Sequence, residues 1–382
     1  MANVQTVSKR ANRVAVSVFF FIAGLDFASW TGRIPDIKSR LHLNEGALGS
    51  VLFALPAGLM FSLPLSGWLV TKFGSRRTII ASALGGASIL VGIGSVTAVW
   101  QLVVLLFLFG IFGNLLNISQ NTQAVGVEMA YGRSIMASFH GLWSSAGCTG
   151  YLLGMLFVSL KIAPVYHFAC IWMTVVTAVI IIYRNLLVKD RDTGTRQPLF
   201  AKPDNAILKL GVIAFCSMVS EGTMFDWSGV YFQKVVGAPG GLILLGSVSF
   251  MSMMAFMRFI GDYLITRFGV KRMLQVSGVV IATGLLTAVL LPYLYTAAAG
   301  FLLVGFGVAL IVPMAYGLAG KSKTMAPGMA LAAVSSIGFI GFLMGPPLIG
   351  FVAQLSSLRI SFTIISVLGL GTTFMANYVR FE

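Results

Sequence analysis

The chain is 382 residues long, 57% hydrophobic and only 10% charged, with a mean hydropathy of +0.92. A soluble domain carries about 25% charged residues, so this composition excludes one. The formal net charge of +15 would suit nucleic acid in a soluble protein, but here Lys and Arg lie in short loops between apolar runs, where they set topology and meet anionic lipid.

Lys9, Arg10 and Arg13 precede the first apolar run, as in a signal peptide. No small-residue cleavage site follows, so an uncleaved first span is expected. Apolar runs cover residues 14–34, 46–70, 78–97, 100–127, 134–160 and 164–187. They resume at 207–233, 241–265, 273–292, 294–319, 326–353 and 358–380. Each approaches or exceeds the ~20 residues a helix needs to span a membrane. The expected architecture is an all-α membrane protein of twelve transmembrane helices, in two six-helix bundles related by a pseudo-two-fold axis. Residues 1–188 form the first bundle, 189–206 a polar cytoplasmic linker and 207–382 the second bundle. With the amino terminus inside, most Lys and Arg fall on the cytoplasmic side, and both termini are predicted there.

Cys148, Cys170 and Cys216 fall inside apolar runs and read as small packing residues. The sequence holds no metal, nucleophile–base or phosphate-loop pattern, so neither enzyme activity nor a cofactor is expected.

One phrase is spoken twice. Residues 68–77, Trp-Leu-Val-Thr-Lys-Phe-Gly-Ser-Arg-Arg, return half a chain later at 263–272 as Tyr-Leu-Ile-Thr-Arg-Phe-Gly-Val-Lys-Arg. Gly24 to Gly32 in span one, with Trp30, parallels Gly222 to Gly229 in span seven, with Trp227. Two half-repeats around a polar linker describe a transporter built from two similar bundles.

The hairpin resembles the loop motif of the major facilitator superfamily, Gly-x-x-x-Asp-Arg-x-Gly-Arg-Arg. It starts at Gly67; Lys72, Gly74, Arg76 and Arg77 follow the pattern, and Thr71 replaces the family's Asp. Ala28-Ser29-Trp30, Asn121 with Glu128, His140-Gly141, Glu221-Gly222, Asp226-Trp227 and Gly345-Pro346-Pro347 resemble the YbjJ-like bacterial permeases within that superfamily. The resemblance covers essentially the whole chain. It implies a secondary transporter of the bacterial inner membrane with a cavity between its halves.

Asp26, Glu221 and Asp226 are the carboxylates well inside predicted spans. A charge at the bilayer centre costs about 2.5–3.5 kcal/mol, so each must face a cavity, find a partner or stay protonated. The functional reading is proton coupling, with Glu221 favoured; the alternative is an inter-helix hydrogen bond from a protonated acid. Glu221 and Asp226 lie about 140° apart on their helix and cannot face one cavity together. Asn114, Asn117 and Asn121 share one face of span four, suited to a polar solute or to inter-helix bonding. His140 and Ser144 share a face of span five, where the imidazole could shuttle protons or hold a neighbouring helix. Trp30, Trp227 and Tyr231 are candidate stacking surfaces for a solute, or plain packing residues. Arg258 and Asp262, four apart, are expected to pair on one helix as a cytoplasmic gate, with Gly74, Arg76, Arg77 and Gly269 in the repeated hairpins.

The leading expectation is proton-coupled, alternating-access transport of a small polar organic solute by a monomer, with solute, protons and the bilayer as partners and no nucleic acid. Efflux of amphipathic compounds is the rival suggested by 18 Met and many aromatics, although span five reads Gly147-Cys148-Thr149-Gly150 without the Gly-Pro pattern of exporters. A membrane sensor or scaffold is a third reading, and the short loops between spans give it little support.

Overall fold

The structure is a computed structural model that describes residues 8–132, 135–188, 204–322, 325 and 327–379. Residues 189–203 of the expected linker, and Arg133 and Lys323 of the expected cytoplasmic cations, lie outside the described residues. In chain order the α-helices are α1 (Lys9–Thr31), α2 (Ile34–Arg40), α3 (Glu45–Leu52), α4 (Ala54–Phe73), α5 (Ser75–Ser95), α6 (Val99–Tyr131) and α7 (Met136–Ser159). They continue with α8 (Pro164–Ile182), α9 (Asn205–Tyr231), α10 (Leu245–Phe268), α11 (Val270–Leu290), α12 (Leu294–Ala319), α13 (Pro327–Leu355) and α14 (Leu358–Tyr378). Some join nearly end to end, α1 with α2 and α3 with α4, so the helices make twelve stretches long and apolar enough to cross a membrane. This is the all-helical, twelve-span architecture expected from the apolar runs.

Helices suit these stretches because a helix satisfies its own backbone in lipid, where water cannot. The orphan groups at the ends find local partners. Asn44 Oδ1 accepts from Ala47 N at 2.8 Å at the start of α3. Asp204 Oδ1 accepts from Ile207 N at 2.8 Å at the start of α9. Glu128 reaches past the end of α6 and accepts from Ile135 N (2.7 Å) and Met136 N (2.8 Å), placing a carboxylate at the amino end of α7.

Two compact units emerge. One takes the described residues of Met1–Arg33 and Ala54–Thr193, the other those of Ile34–Phe53 and Gly194–Glu382. The boundary differs from the sequence expectation, which gave residues 34–53 to the first bundle. In the first unit α1 packs along α7, α6 lies against α4 and α5, and α5 against α8. In the second, α9 packs along α13, α11 sits between α12 and α14, and α10 lies on α12. Here α3 lies along α13 and α2 touches α9. The reason is steric: a Cβ on Gly49 would meet the Pro346 carbonyl and the Gly350 Cα, so these backbones are as close as glycine allows.

The repeated phrase is a repeated conformation. Gly74 joins α4 to α5 at φ 84°, ψ 150°, and Gly269 joins α10 to α11 at φ 79°, ψ 152°. Essentially only glycine holds that backbone, which explains why it stands in both copies. The flanking side chains repeat as well. Lys72 Nζ lies 4.5 Å over the Trp68 ring, and Arg267 Nη1 donates to the Tyr263 hydroxyl at 2.9 Å.

The glycine seam gives the first prediction. Gly350→Val should overpack α3 against α13 and destabilise the protein by about 1–3 kcal/mol. Gly67→Ala, at a position with nothing within 4 Å of an added Cβ, should leave stability unchanged or slightly raised. Thermal unfolding of the detergent-solubilised protein, followed by tryptophan fluorescence, compares the two.

Candidate functional site

Glu221 lies about 24 Å along the roughly 40 Å of α9, at 1.5 Å per residue. It is 8% exposed, and its Oε1 sits 3.5 Å from Arg258 Nη2 on α10. This corrects the expected gate pair: Arg258 faces the neighbouring helix, and Asp262, one turn on, is exposed. Arg258 thus offsets a carboxylate inside a span, which the loop-end pairing would not have done. The pair joins α9 to α10 within the second unit. Asp226 is half-buried farther along α9.

The aromatic candidates of α9 are core residues. Tyr231 is fully buried, donates to the Ala288 carbonyl at 2.9 Å and stacks on Phe362 at 4.4 Å between ring centroids. With its hydroxyl bonded and its ring fully buried within the second unit, it offers a solute no stacking surface. Trp227 is fully buried, and its indole Nε1 has no hydrogen-bond partner among the described residues.

In the first unit, Asp26 on α1 is 4% exposed and its Oδ1 has no partner among the described residues. Ser29 Oγ and Trp30 Nε1, three and four residues on, are equally buried and equally unpartnered there. An acceptor, a hydroxyl and an N–H donor thus gather within about one helical turn.

The amide stripe divides. Asn114 is 4% exposed, and its Nδ2 donates to Ser62 Oγ (3.0 Å) and Ser66 Oγ (2.8 Å) on α4. That is inter-helix bonding within one unit, contrary to the solute-facing role weighed for it. Asn117 is exposed, and half-buried Asn121 donates to the Asn117 carbonyl at 2.8 Å. His140 is exposed, with its ring edge-on to Phe20 at 5.3 Å, whereas Ser144 is fully buried and its hydroxyl donates to the His140 carbonyl at 3.2 Å. Arg76 is half-buried and Arg77 exposed at the start of α5, beside Gly74.

Several polar clusters went unseen in sequence. Gln123 takes Ser75 Oγ (2.7 Å) and the Leu187 carbonyl (3.0 Å) with its Nε2, and accepts from Leu187 N at 2.9 Å. It ties the start of α5 to the segment after α8. Arg33, 2% exposed, donates to His167 Nδ1 (3.2 Å) and the Ile162 carbonyl (3.0 Å). Glu45 on α3 pairs with Lys38 of α2 at 3.5 Å and with Lys234 just beyond α9. Charges in span-end loops are the visible signal for these, but no periodicity relates residue 45 to residue 234.

Twelve membrane spans, a duplicated helix–glycine–helix hairpin and buried carboxylates within the spans define a polytopic membrane transporter. The chain belongs to the Major Facilitator Superfamily, whose model matches residues 16–326. It is 32% identical over 377 residues to an uncharacterised MFS-type transporter of Yersinia pestis, covering 97% of this chain and 96% of the relative. It is 31% identical over 366 residues to the membrane protein MosC of Rhizobium meliloti, covering 95% and 88%. Its fold is similar to a bacterial homologue of the human lysosomal transporter Spinster, with a TM-score of 0.76 at 14% identity over 96% of each chain. The chain is accordingly a transporter and not an enzyme.

Two predictions follow from the geometry. Asn114→Ala removes two inter-helix bonds worth about 0.6 kcal/mol each and should lower the thermal midpoint, while Asn117→Ala should not. Arg258→Gln strands Glu221 and should destabilise more than the Arg258→Gln/Glu221→Gln double variant, a coupling that a double-mutant cycle of unfolding measurements reads directly.

Proposed function

We propose that this transporter moves a small polar organic solute across the bacterial inner membrane by alternating access, coupled to protons. The carrying observation is the Glu221–Arg258 pair inside the spans. A carboxylate there is stable while paired or while protonated. Loading a proton on Glu221 removes the negative member of the pair and frees Arg258 to engage an acceptor group on the solute. Releasing the proton restores the pair and expels that group. Asp26, Ser29 and Trp30 supply the unpartnered acceptor, hydroxyl and N–H that a polar solute completes. Within the superfamily, the stretches around Trp30, His140 and Glu221 favour the YbjJ-like branch. The unit of function is a monomer with both termini in the cytoplasm.

A metabolite panel screened by thermal shift in detergent supplies a working solute. In proteoliposomes with an imposed proton gradient, Glu221→Gln should abolish accumulation of that solute while retaining counterflow exchange, because the amide is isosteric but carries no exchangeable proton of that kind. Unchanged gradient-driven accumulation would make Glu221 structural and pass the role to Asp26. In intact cells, a cysteine at Asn44 should be labelled by a membrane-impermeant maleimide and one at Lys271 should be protected; the reverse would invert the topology.

A further inference from the structure

A cavity of about 410 Å³ opens on the first unit along one face of α1. Arg10 and Arg13 stand at one end of it, and Val14, Val18 and Phe21 run along its length. Tyr131, the last residue of α6, and Leu142 of α7 form the facing wall. The Arg13 guanidinium lies 5.6 Å over the Tyr131 ring, which holds that cation at the cavity's edge. Val14 is 52% exposed, so apolar surface lies open directly beside the two charges.

We infer that this groove binds one anionic phospholipid, with the phosphate at Arg10 and Arg13 and an acyl chain along Val14, Val18 and Phe21. Two features of the groove select this occupant. Its charge is all at one end and all positive, matching a headgroup phosphate, while Val14, Val18, Phe21 and Leu142 make the rest mainly apolar, with the side chains of Ser17 and Tyr131 as its other lining. Its length also fits: eleven residues separate Arg10 from Phe21, about 16 Å of helix, against the ~15 Å of one leaflet's hydrocarbon. A small hydrophilic anion would use the arginines but leave the apolar walls wet. A zwitterionic lipid would use the walls and offer a phosphate, but its ammonium group would bring a cation beside two arginines. The site rests only on the chain's being a membrane protein, and it stands or falls independently of proton coupling at Glu221.

The test uses the full-length protein in neutral detergent, equilibrated with micelles of dioleoyl phosphatidylglycerol or dioleoyl phosphatidylcholine. Lipid retained per protein is counted by mass spectrometry. The expected result is a roughly 30-fold preference for phosphatidylglycerol, which is ~1 kcal/mol for each of two basic side chains converted at 1.4 kcal/mol per decade. Arg10→Gln/Arg13→Gln should erase that preference, whereas Lys271→Gln/Arg272→Gln, which removes two cations from the second unit, should keep it. Val18→Trp should lower retention with the arginines intact, and it decides the question if the double arginine variant does not fold. Equal retention of the two lipids, or a preference that survives both Arg10→Gln/Arg13→Gln and Val18→Trp, would overturn the site. Equal loss in the Lys271/Arg272 variant would reduce it to diffuse surface charge. Displacement of the lipid by equimolar glycerol 3-phosphate would show a site for free phosphate anions and refute the lipid assignment.

Discussion

Helices in a bilayer gain nothing by hiding apolar faces from one another, since lipid is as apolar as leucine. What holds them is close backbone approach, and glycine sets how close. In the first unit, a Cβ on Gly24 would run into the Trp143 carbonyl, and one on Gly150 would meet Ala28, so α1 and α7 touch along their backbones. In the second unit Gly49 and Gly350 do the same for α3 and α13. This contact explains why residues 34–53 pack in the second unit although they follow α1 in the chain. These twenty residues of the amino-terminal half are held by the α13 and α9 surfaces they fit, not by their neighbours in sequence.

Tight apolar packing makes the remaining polar groups conspicuous, because each must solve its desolvation problem within reach of its own helix. Glu221 solves it with Arg258, a partner on another helix. Glu45 solves it with two cations, Lys38 and Lys234, drawn from α2 and from beyond α9. Asn114 solves it without charge, through two serines of α4. Asp26, Ser29 and Trp30 leave buried atoms unpartnered among the described residues. An unpaired buried polar group costs about 1–3 kcal/mol. Three such atoms within about one turn of α1 concentrate that cost in one short stretch.

The spans were legible in sequence because their signal is additive: about twenty apolar residues in a row outvote any exception, and the structure returns twelve. The hairpin was legible because a backbone at φ near +80° admits almost no residue but glycine, so the constraint is written at one position, twice. The polar partners were not legible in the same way. Spacing along one helix predicted Arg258 with Asp262, yet a guanidinium on a long side chain reaches across to α9 as readily as along α10. The stripe of Asn114, Asn117 and Asn121 was a true face of α6, but which part of that face meets α4 depends on helix crossing, and periodicity carries no crossing angle. Tyr231 read as a stacking residue because aromatic rings look alike in sequence; its hydroxyl bond to Ala288, residues away on another helix, decides that it is core.

The two halves kept what backbone geometry demands and diverged in what chemistry requires. Gly74 and Gly269, Lys72 and Arg267, Trp30 and Trp227 stand at matching places, and both tryptophans bury an indole N–H that has no partner among the described residues. The amide bonds of Asn114 and the ion pair of Glu221 are not repeated in this way. In the first unit Asn114 and Gln123 make bonds that survive any change of protonation, beside the buried carboxyl of Asp26. The second places a carboxylate against a guanidinium at 3.5 Å, a pair whose attraction vanishes when one proton arrives. A change in protonation would alter the packing of α9 against α10 and leave the amide bonds of the first unit unchanged.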